Sequence, residues 1–333
     1  MRNKQRFKTH WQRLWCACCV ALLWLCCNAY AGFSIEGTQL LDANGKPFIM
    51  RGVNHGHAWF PQHLSAIEHI ANTGANTVRV VLSSGAQWPR SSSDDVKKVI
   101  STCKRYHLIC VLEVHDATGY GDKKSAVKIA EITAYWLSIK EVLQGQESYV
   151  LINIANEPFG NSAAQALWLK EHQTAIKALR QAGFEHTLIV DAPNWGQDYN
   201  EIMLAQAAQV AAADALSNTL FSVHMYQVYQ DYSKIHRYVT RFLSEQKLPL
   251  IVGEFGASHQ GEFVDANSIL RIAKANNIGY LGWSWSGNGE CCTDLDIVKN
   301  FNPNNLSEWG KLLIHSPDGI KHTAVKASVF GEE

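Results

Sequence analysis

Eight short, β-branched apolar runs alternating with helical stretches predict an α/β fold: a (β/α)8 TIM barrel, one domain with a short N-terminal β-hairpin. Three observations carry that expectation. The runs are continuously apolar, as strands buried on both faces require. They begin about every 30–40 residues, the length of a strand, a helix and their loops. Polar and aromatic residues gather where the runs stop, which is where barrels of this kind build their sites.

Taken in order, residues 33–48 read as a hairpin turning at Ala43-Asn44-Gly45. The strands are expected at 48–53, 77–82, 108–114, 149–155, 187–191, 220–224, 248–253 and 279–285. Between them, residues 64–75, 93–106, 124–143, 163–182, 200–216, 233–246 and 264–275 place apolar side chains at three-to-four spacing among charges. Asp94 and Asp95 suit a helix start, and Gly74 and Gly183 suit helix ends. An open dinucleotide-binding sheet would place G-x-G-x-x-G after its first strand, and this chain has none there.

Residues 1–31 stand apart. Arg2, Lys4, Arg6, Lys8 and Arg13 precede an apolar run over 14–27, and Asn28-Ala29-Tyr30-Ala31 ends it before Gly32. This is the layout of a cleaved signal peptide. The run is about fourteen residues, short of the roughly 20 that span a bilayer. The expected product is a 32–333 domain, secreted to the outside of the cell or to a periplasm, with no membrane anchor. Cleavage removes five of the thirty basic residues and no acidic one, which leaves a mildly acidic monomer. Such a surface offers nucleic acid nothing to bind. Five of the nine cysteines leave too, and Cys103, Cys110, Cys291 and Cys292 remain. A Cys103–Cys110 bridge is expected across a helix-to-strand connection, with Cys291 and Cys292 a vicinal bridge or two thiols. Their spacings do not suit structural zinc.

Each strand end contributes to the expected site. The first runs into Asn54-His55-Gly56-His57, and the second carries Arg79 among valines. The third leads to Glu113-Val114-His115-Asp116, with Glu113 and Arg51 expected inside the barrel as a buried pair. The fourth ends in Asn156-Glu157-Pro158, the sixth in His224-Met225-Tyr226, and the seventh in Gly253-Glu254-Phe255. Trp195 follows the fifth, Trp283 lies on the eighth, and Trp59 and Trp88 stand near other strand ends where a flat ring can stack on a sugar. Glu157 and Glu254 follow nearly all-apolar strands, three strands apart, and should face each other across the mouth. Paired carboxyls suit cleavage of a glycosidic bond, one protonating the leaving oxygen while the other attacks the anomeric carbon. His55-Gly56-His57 has the form of a metallohydrolase H-x-H. The remaining ligands of such a site are missing from the later strands, so neither a catalytic metal nor another cofactor is expected. Asp294 and Asp296 alone do not define a calcium site.

These residues resemble those of glycoside hydrolase family 5. Arg79, His115, Asn156, Glu157, His224, Tyr226, Glu254 and Trp283 stand where that family keeps its active-site set. The stretches at 50–59, 72–79, 112–120, 152–157 and 283–289 are similar to the bacterial endo-β-1,4-mannanases of subfamily 8. The resemblance implies a retaining enzyme acting on β-mannan. Glu157 would be its acid/base, Glu254 its nucleophile and Asn156 the partner of the sugar 2-hydroxyl. Tyr226, His224 and Arg79 would hold Glu254 ionised, and Trp283 would floor the reacting subsite, with His55, His57, Trp59 and Trp195 among the supporting or sugar-binding residues. Pro158 departs from the pattern, because several of these enzymes have a bulkier residue after the acid/base. An endo-β-1,4-glucanase on the same frame and a non-catalytic carbohydrate-binding barrel are the competing readings.

Overall fold

The computed structural model describes residues 32–163 and 165–331; the leader expected at 1–31 lies outside the described residues. Two short antiparallel strands come first, β1 (Ser34–Glu36) and β2 (Gln39–Leu41). Then follow β3 (Arg51–His55), β4 (Thr77–Leu82), β5 (Ile109–Val114), β6 (Val150–Asn153), β7 (Leu188–Asp191), β8 (Thr219–Met225) and β9 (Leu250–Phe255). A surface hairpin, β10 (Ser258–His259) and β11 (Glu262–Phe263), precedes β12 (Gly279–Gly282). Strands β3 to β9 and β12 pair in parallel and close a barrel in the order β12-β3-β4-β5-β6-β7-β8-β9. The protein is therefore a (β/α)8 barrel. Among the described residues no helix is long and apolar enough to cross a membrane.

The barrel strands are buried on both faces, and their alternation sorts side chains into two environments. Outward residues such as Val78, Val80, Leu112 and Val252 pack against the helices. Inward residues change character along the axis. Low in the barrel, Ile109, Val111, Leu151, Ile189, Leu220, Ile251 and Leu281 join Phe33, Leu40 and Phe48 of the N-terminal segment in one apolar cluster. Each such side chain contributes about 1.5–3 kcal/mol by leaving water. Higher up, the inward positions are Asn54, Arg79, Glu113, Asn153 and Asp191, all buried. The hairpin thus closes the N-terminal mouth, and the polar layer faces the other one.

Local chemistry moves several boundaries. The first hairpin turns at Gly37, whose φ of 58° needs glycine, and not at 43–45. Residues 43–45 make the next turn, where the Asp42 carboxylate accepts the Asn44 and Lys46 N–H groups at 3.0 Å each. The helix expected from 124 begins at Ile129, because the chain through Gly119 and Gly121 is a loop with positive φ at both glycines. The eighth strand stops at Gly282, and a helix over Glu308–His315 follows it that periodicity had not indicated. The expected Arg51–Glu113 pair does not form. Arg51 starts β3 and donates to the carbonyls of Met50 (2.9 Å) and Ile278 (2.7 Å), with its guanidinium over Tyr280.

The Cys103–Cys110 bridge is corrected as well: both are free thiols, and the disulfide joins Cys291 to Cys292. Cys103 lies on the inner face of the helix Ser93–Arg105, and Cys110 points outward from β5 into the same apolar layer. Burial there pushes the Cys110 thiol up, and contact with Cys103 adds to it.

One irregularity in the sheet decides the site. Along β9, Leu250 and Val252 face the helices and Ile251 faces inward, so strict alternation would turn Glu254 outward. The register instead pairs Val223 with Val252 and His224 with Glu254, skipping Gly253. This bulge swings Glu254 into the mouth. A Cβ at 253 would overlap Ser222 Oγ and crowd the His224 ring, so any residue but glycine here must displace Ser222. Asn54 Nδ2 donates to the Gly253 carbonyl at 3.0 Å, which satisfies a group the interrupted ladder frees.

Candidate active site

The C-terminal mouth opens into a cleft of about 1000 Å³ whose floor carries Glu157 and Glu254. Glu157 lies four residues past β6 with φ +36°, a backbone region that side chains rarely adopt. Its N–H donates to Asp191 Oδ2 at 3.2 Å and its carbonyl accepts from Gly119 N–H at 3.0 Å, so the conformation is held from both sides. One oxygen of each glutamate and a ring nitrogen of His224 all lie within 4.8 Å of one another. That closeness matches the roughly 5–5.5 Å of a nucleophile and acid/base pair, and is shorter than the 6.5–9.5 Å that an intervening water needs.

The two carboxyls have different neighbours. Glu254 Oε1 accepts from Arg79 Nη1 and Oε2 from the Tyr226 hydroxyl, each at 2.8 Å. Arg79 is itself fixed by Asn54 (2.9 Å), Asn153 (2.9 Å) and Asn156 (2.7 Å). With Asp191 at 3.4 Å, five donors spent on five separate partners leave the guanidinium one orientation. Among the described residues Glu157 meets no cation at such range: its Oε1 contacts His224 Nδ1 at 2.8 Å. Burial raises both carboxyls. Glu254 rises only to about 7, because Arg79, His115 and Tyr226 favour its ionised form. Glu157 is pushed well above the ordinary range by burial first, then by the charges of Glu254 and Asp191. Burial also keeps the His224 imidazole neutral, assisted by the charge of Arg79. The group that keeps its proton longer is therefore Glu157.

His224 departs from its expected place. It was expected on Glu254, yet it stands at 2.8 Å from Glu157 and 3.6 Å from Glu254. Gly196 leaves it room: a Cβ there would meet the His224 ring at 2.6 Å, and the Gly196 carbonyl holds the strand beside it by accepting the His224 backbone N–H at 2.7 Å. The ring occupies the space a Cβ at 196 would take, and its Nδ1 meets the acid/base Glu157.

Aromatic side chains wall the cleft. Trp283 stacks near His115 with ring centroids 5.8 Å apart, and Trp59 stands edge-on to both. His115 Nδ1 is engaged by Glu113 at 2.9 Å, which turns Nε2 toward Asn156. On the far wall, Trp195 donates from Nε1 to Asp122 at 2.8 Å, rests on Gly119 and carries the Lys123 ammonium 4.9 Å over its ring. That rim is built by the glycine loop between β5 and the following helix.

Most of the expected residues come together. Trp59, His115, Asn156, Glu157, Trp195, Tyr226, Glu254 and Trp283 line the cleft, and Arg79 and His224 lie directly beneath. His55 and His57 do not line it. His57 Nε2 pairs with Asp95 at 2.9 Å, and neither ring nitrogen of His55 meets a partner among the described residues, where burial lowers it to about 3. Sequence reasoning passed over Asp191. It closes β7 and meets Arg79 (3.4 Å), Asn153 (3.0 Å) and the Glu157 N–H, and burial raises it to about 6. A carboxylate ending a run of Leu-Ile-Val was its only signal. Lys123 also lines the cleft unannounced, with Gln197 from the polar stretch after the fifth strand and Asn288 from the 283–289 stretch.

The model of the family described as cellulase (glycosyl hydrolase family 5) matches residues 41–289. The chain is 50% identical over 305 residues to a mannan endo-1,4-beta-mannosidase of Cellvibrio japonicus, covering 91% of this chain and 70% of that one. It is 45% identical over 304 residues to a mannan endo-1,4-beta-mannosidase of Streptomyces lividans, covering 91% and 79% respectively. Among solved structures, a beta-mannanase from Thermomonospora fusca superposes with a TM-score of 0.87 at 50% identity, over 90% of this chain and 99% of that one.

Proposed function

Because the chain belongs to glycosyl hydrolase family 5, we propose that it is an exported endo-1,4-β-mannanase that cleaves internal bonds of mannan, glucomannan or galactomannan with retention at the anomeric carbon. The observation that carries the reaction is the close pair of carboxyls in unlike surroundings, with Arg79 and Tyr226 on Glu254 alone. The choice of sugar rests on the likeness to mannan-cleaving relatives over nine-tenths of the chain.

In the first step the ionised Glu254 attacks the anomeric carbon while Glu157 gives its proton to the departing glycosidic oxygen. Asn156, anchored by Arg79 and by Thr118 at 2.9 Å, presents its amide to the sugar 2-hydroxyl. In the second step Glu157, now ionised, takes a proton from water as the water displaces Glu254. The step needs no metal or other cofactor. The leader is removed on export, the 32–333 domain acts as a monomer without a membrane anchor, and the oxidising compartment keeps Cys291 paired with Cys292.

Activity on galactomannan, glucomannan and carboxymethylcellulose measured in parallel tests the substrate. Both mannans should be cleaved at least about a hundredfold faster, in kcat/KM, than the cellulose derivative. A higher rate on carboxymethylcellulose would make the protein an endoglucanase, and inertness on all three would leave a carbohydrate-binding barrel.

The pH profile tests the roles. The kcat/KM curve should be a bell, rising as Glu254 loses its proton and falling as Glu157 loses its own. Tyr226→Phe removes a donor that favours ionised Glu254, so its pKa rises and the acid limb moves to higher pH by about 1 or more. The basic limb should stay within a few tenths. Movement of the basic limb alone would reverse the assignment.

A further inference from the structure

The loop after β12 contributes a surface to the cleft that the two-carboxylate chemistry does not use. Cys291 and Cys292 are joined by a disulfide, with Cα atoms 3.8 Å apart, and both line the cleft. Cys292 packs against the apolar cluster of Tyr226, Trp283 and Leu295, while Cys291 is exposed. Asn288 supports the loop beneath. It accepts from Trp283 Nε1 at 2.9 Å and donates from Nδ2 to Asp296 at 2.7 Å and to Ser284 at 3.0 Å. Ser258 of the neighbouring hairpin donates to Asp294 at 3.2 Å and closes the loop from the other side.

A bridge between adjacent residues encloses no chain segment. The stabilisation a disulfide gives by restricting the unfolded chain grows with the loop it closes, so this one adds almost nothing to the fold. What it changes is the surface. Two mobile thiols become one eight-membered ring whose Cβ–Sγ–Sγ–Cβ edge is apolar and polarizable, and whose peptide N–H is already given to the Gly289 carbonyl at 2.8 Å. It stands beside Trp283 and Tyr226, and Tyr226 is the residue that donates to Glu254, which puts the pair on the Glu254 side of the cleft. A pyranose presents C–H groups on its faces, and such a face packs on apolar surface while the hydroxyls around its edge reach polar groups such as Asn288 and His259.

We propose that the Cys291–Cys292 disulfide is a sugar-binding platform, contacting the C–H face of the β-linked hexose next to the one held by Trp283 on the non-reducing side. This rests on the mannanase reading above. Its consequence is that reduction weakens substrate binding without touching the catalytic pair.

Mannopentaose turnover is measured for three forms: the intact enzyme, the enzyme treated with a water-soluble trialkylphosphine, and the Cys291→Ala/Cys292→Ala variant. In the treated sample the sulfur–sulfur bond breaks and water supplies a proton to each sulfur. The phosphine is oxidised, its phosphorus taking the water oxygen. Titration of accessible thiols counts the two formed. The expected result is a KM raised about three- to tenfold in both altered forms, with kcat within twofold and an unchanged melting temperature. Reoxidation of the reduced sample should restore the original KM. An unchanged KM in a fully reduced enzyme would overturn the proposal, as would a drop in melting temperature with kcat and KM both altered, the mark of a fold staple. Failure of the intact enzyme to cleave mannopentaose at all would sink the mannanase reading and the platform together, which neither of the other results does.

Discussion

Glu254→Gln should lower kcat on mannan by about ten-thousand-fold or more, because it removes the only group placed to form a bond with the anomeric carbon. The amide has the shape of the carboxylate but is not a nucleophile. Both oxygens of Glu254 now accept hydrogen bonds, one from Arg79 and one from Tyr226. The new NH2 group must face one of them. The Tyr226 hydroxyl can rotate to accept, whereas Arg79 cannot, so the amide should settle with its oxygen on Arg79 and its nitrogen on Tyr226. Arg79 keeps Asp191 at 3.4 Å and Glu113 at 3.8 Å as counter-charges, so the cost to folding should be only about 1–2 kcal/mol. Rate on galactomannan, thermal unfolding and calorimetric binding of mannohexaose check the three parts. A folded variant keeping more than about one per cent of the activity would remove Glu254 from the role of nucleophile.

Glu157→Gln should be the next most damaging change, lowering kcat on polysaccharide by about a hundred- to ten-thousand-fold. Its effect should depend on the leaving group. A dinitrophenyl glycoside departs without a proton, so the first step survives and the second, which needs a base for water, becomes limiting. The glycosyl-enzyme should then accumulate on Glu254, visible as added mass on the intact protein. Azide, which needs no base, should restore turnover and give a glycosyl azide of retained configuration. If the polysaccharide and the dinitrophenyl substrate suffered equally and azide did nothing, Glu157 would not be the acid/base. His224 at 2.8 Å would become the group to test next.

Much of this site could be read from single residues. Arg79 is a lone cation in an all-apolar strand, and only a buried set of acceptors makes that tolerable. Glu157 and Glu254 each end an apolar run, and the strand-end rule for such barrels put them in the mouth. The same sequence does not reveal which partner each group takes. His224 is expected on the nucleophile, and room left by Gly196, in a loop 28 residues earlier in the chain, lets it stand on Glu157. Asp191 reads as the end of a strand until Arg79, Asn153 and the Glu157 N–H are seen converging on it. His55 and His57 fail for the opposite reason. His55 still belongs to β3, where alternation after the inward Asn54 turns it to the helix side, and His57 beyond the strand end pairs with Asp95 and does not reach the cleft. The cysteines were paired by distance along the chain, while Cys103 and Cys110 sit side by side in an apolar layer as free thiols and the bridge forms between neighbours.

The bulge at Gly253 has a bearing on how this gene can vary. Every glycine codon begins with two guanines, and one-base changes from it reach alanine, serine, valine, aspartate, glutamate, arginine, cysteine or tryptophan. Each of these carries the Cβ that would overlap Ser222 Oγ. The codon for residue 253 is therefore enclosed, since every amino-acid replacement one mutation away disturbs the bulge that presents Glu254. Escape is by a second change that removes Ser222 Oγ, and serine to alanine is a single-base step from four of the serine codons, serine to glycine from the other two. Natural or laboratory variants that replace Gly253 and still turn over substrate should carry that partner change.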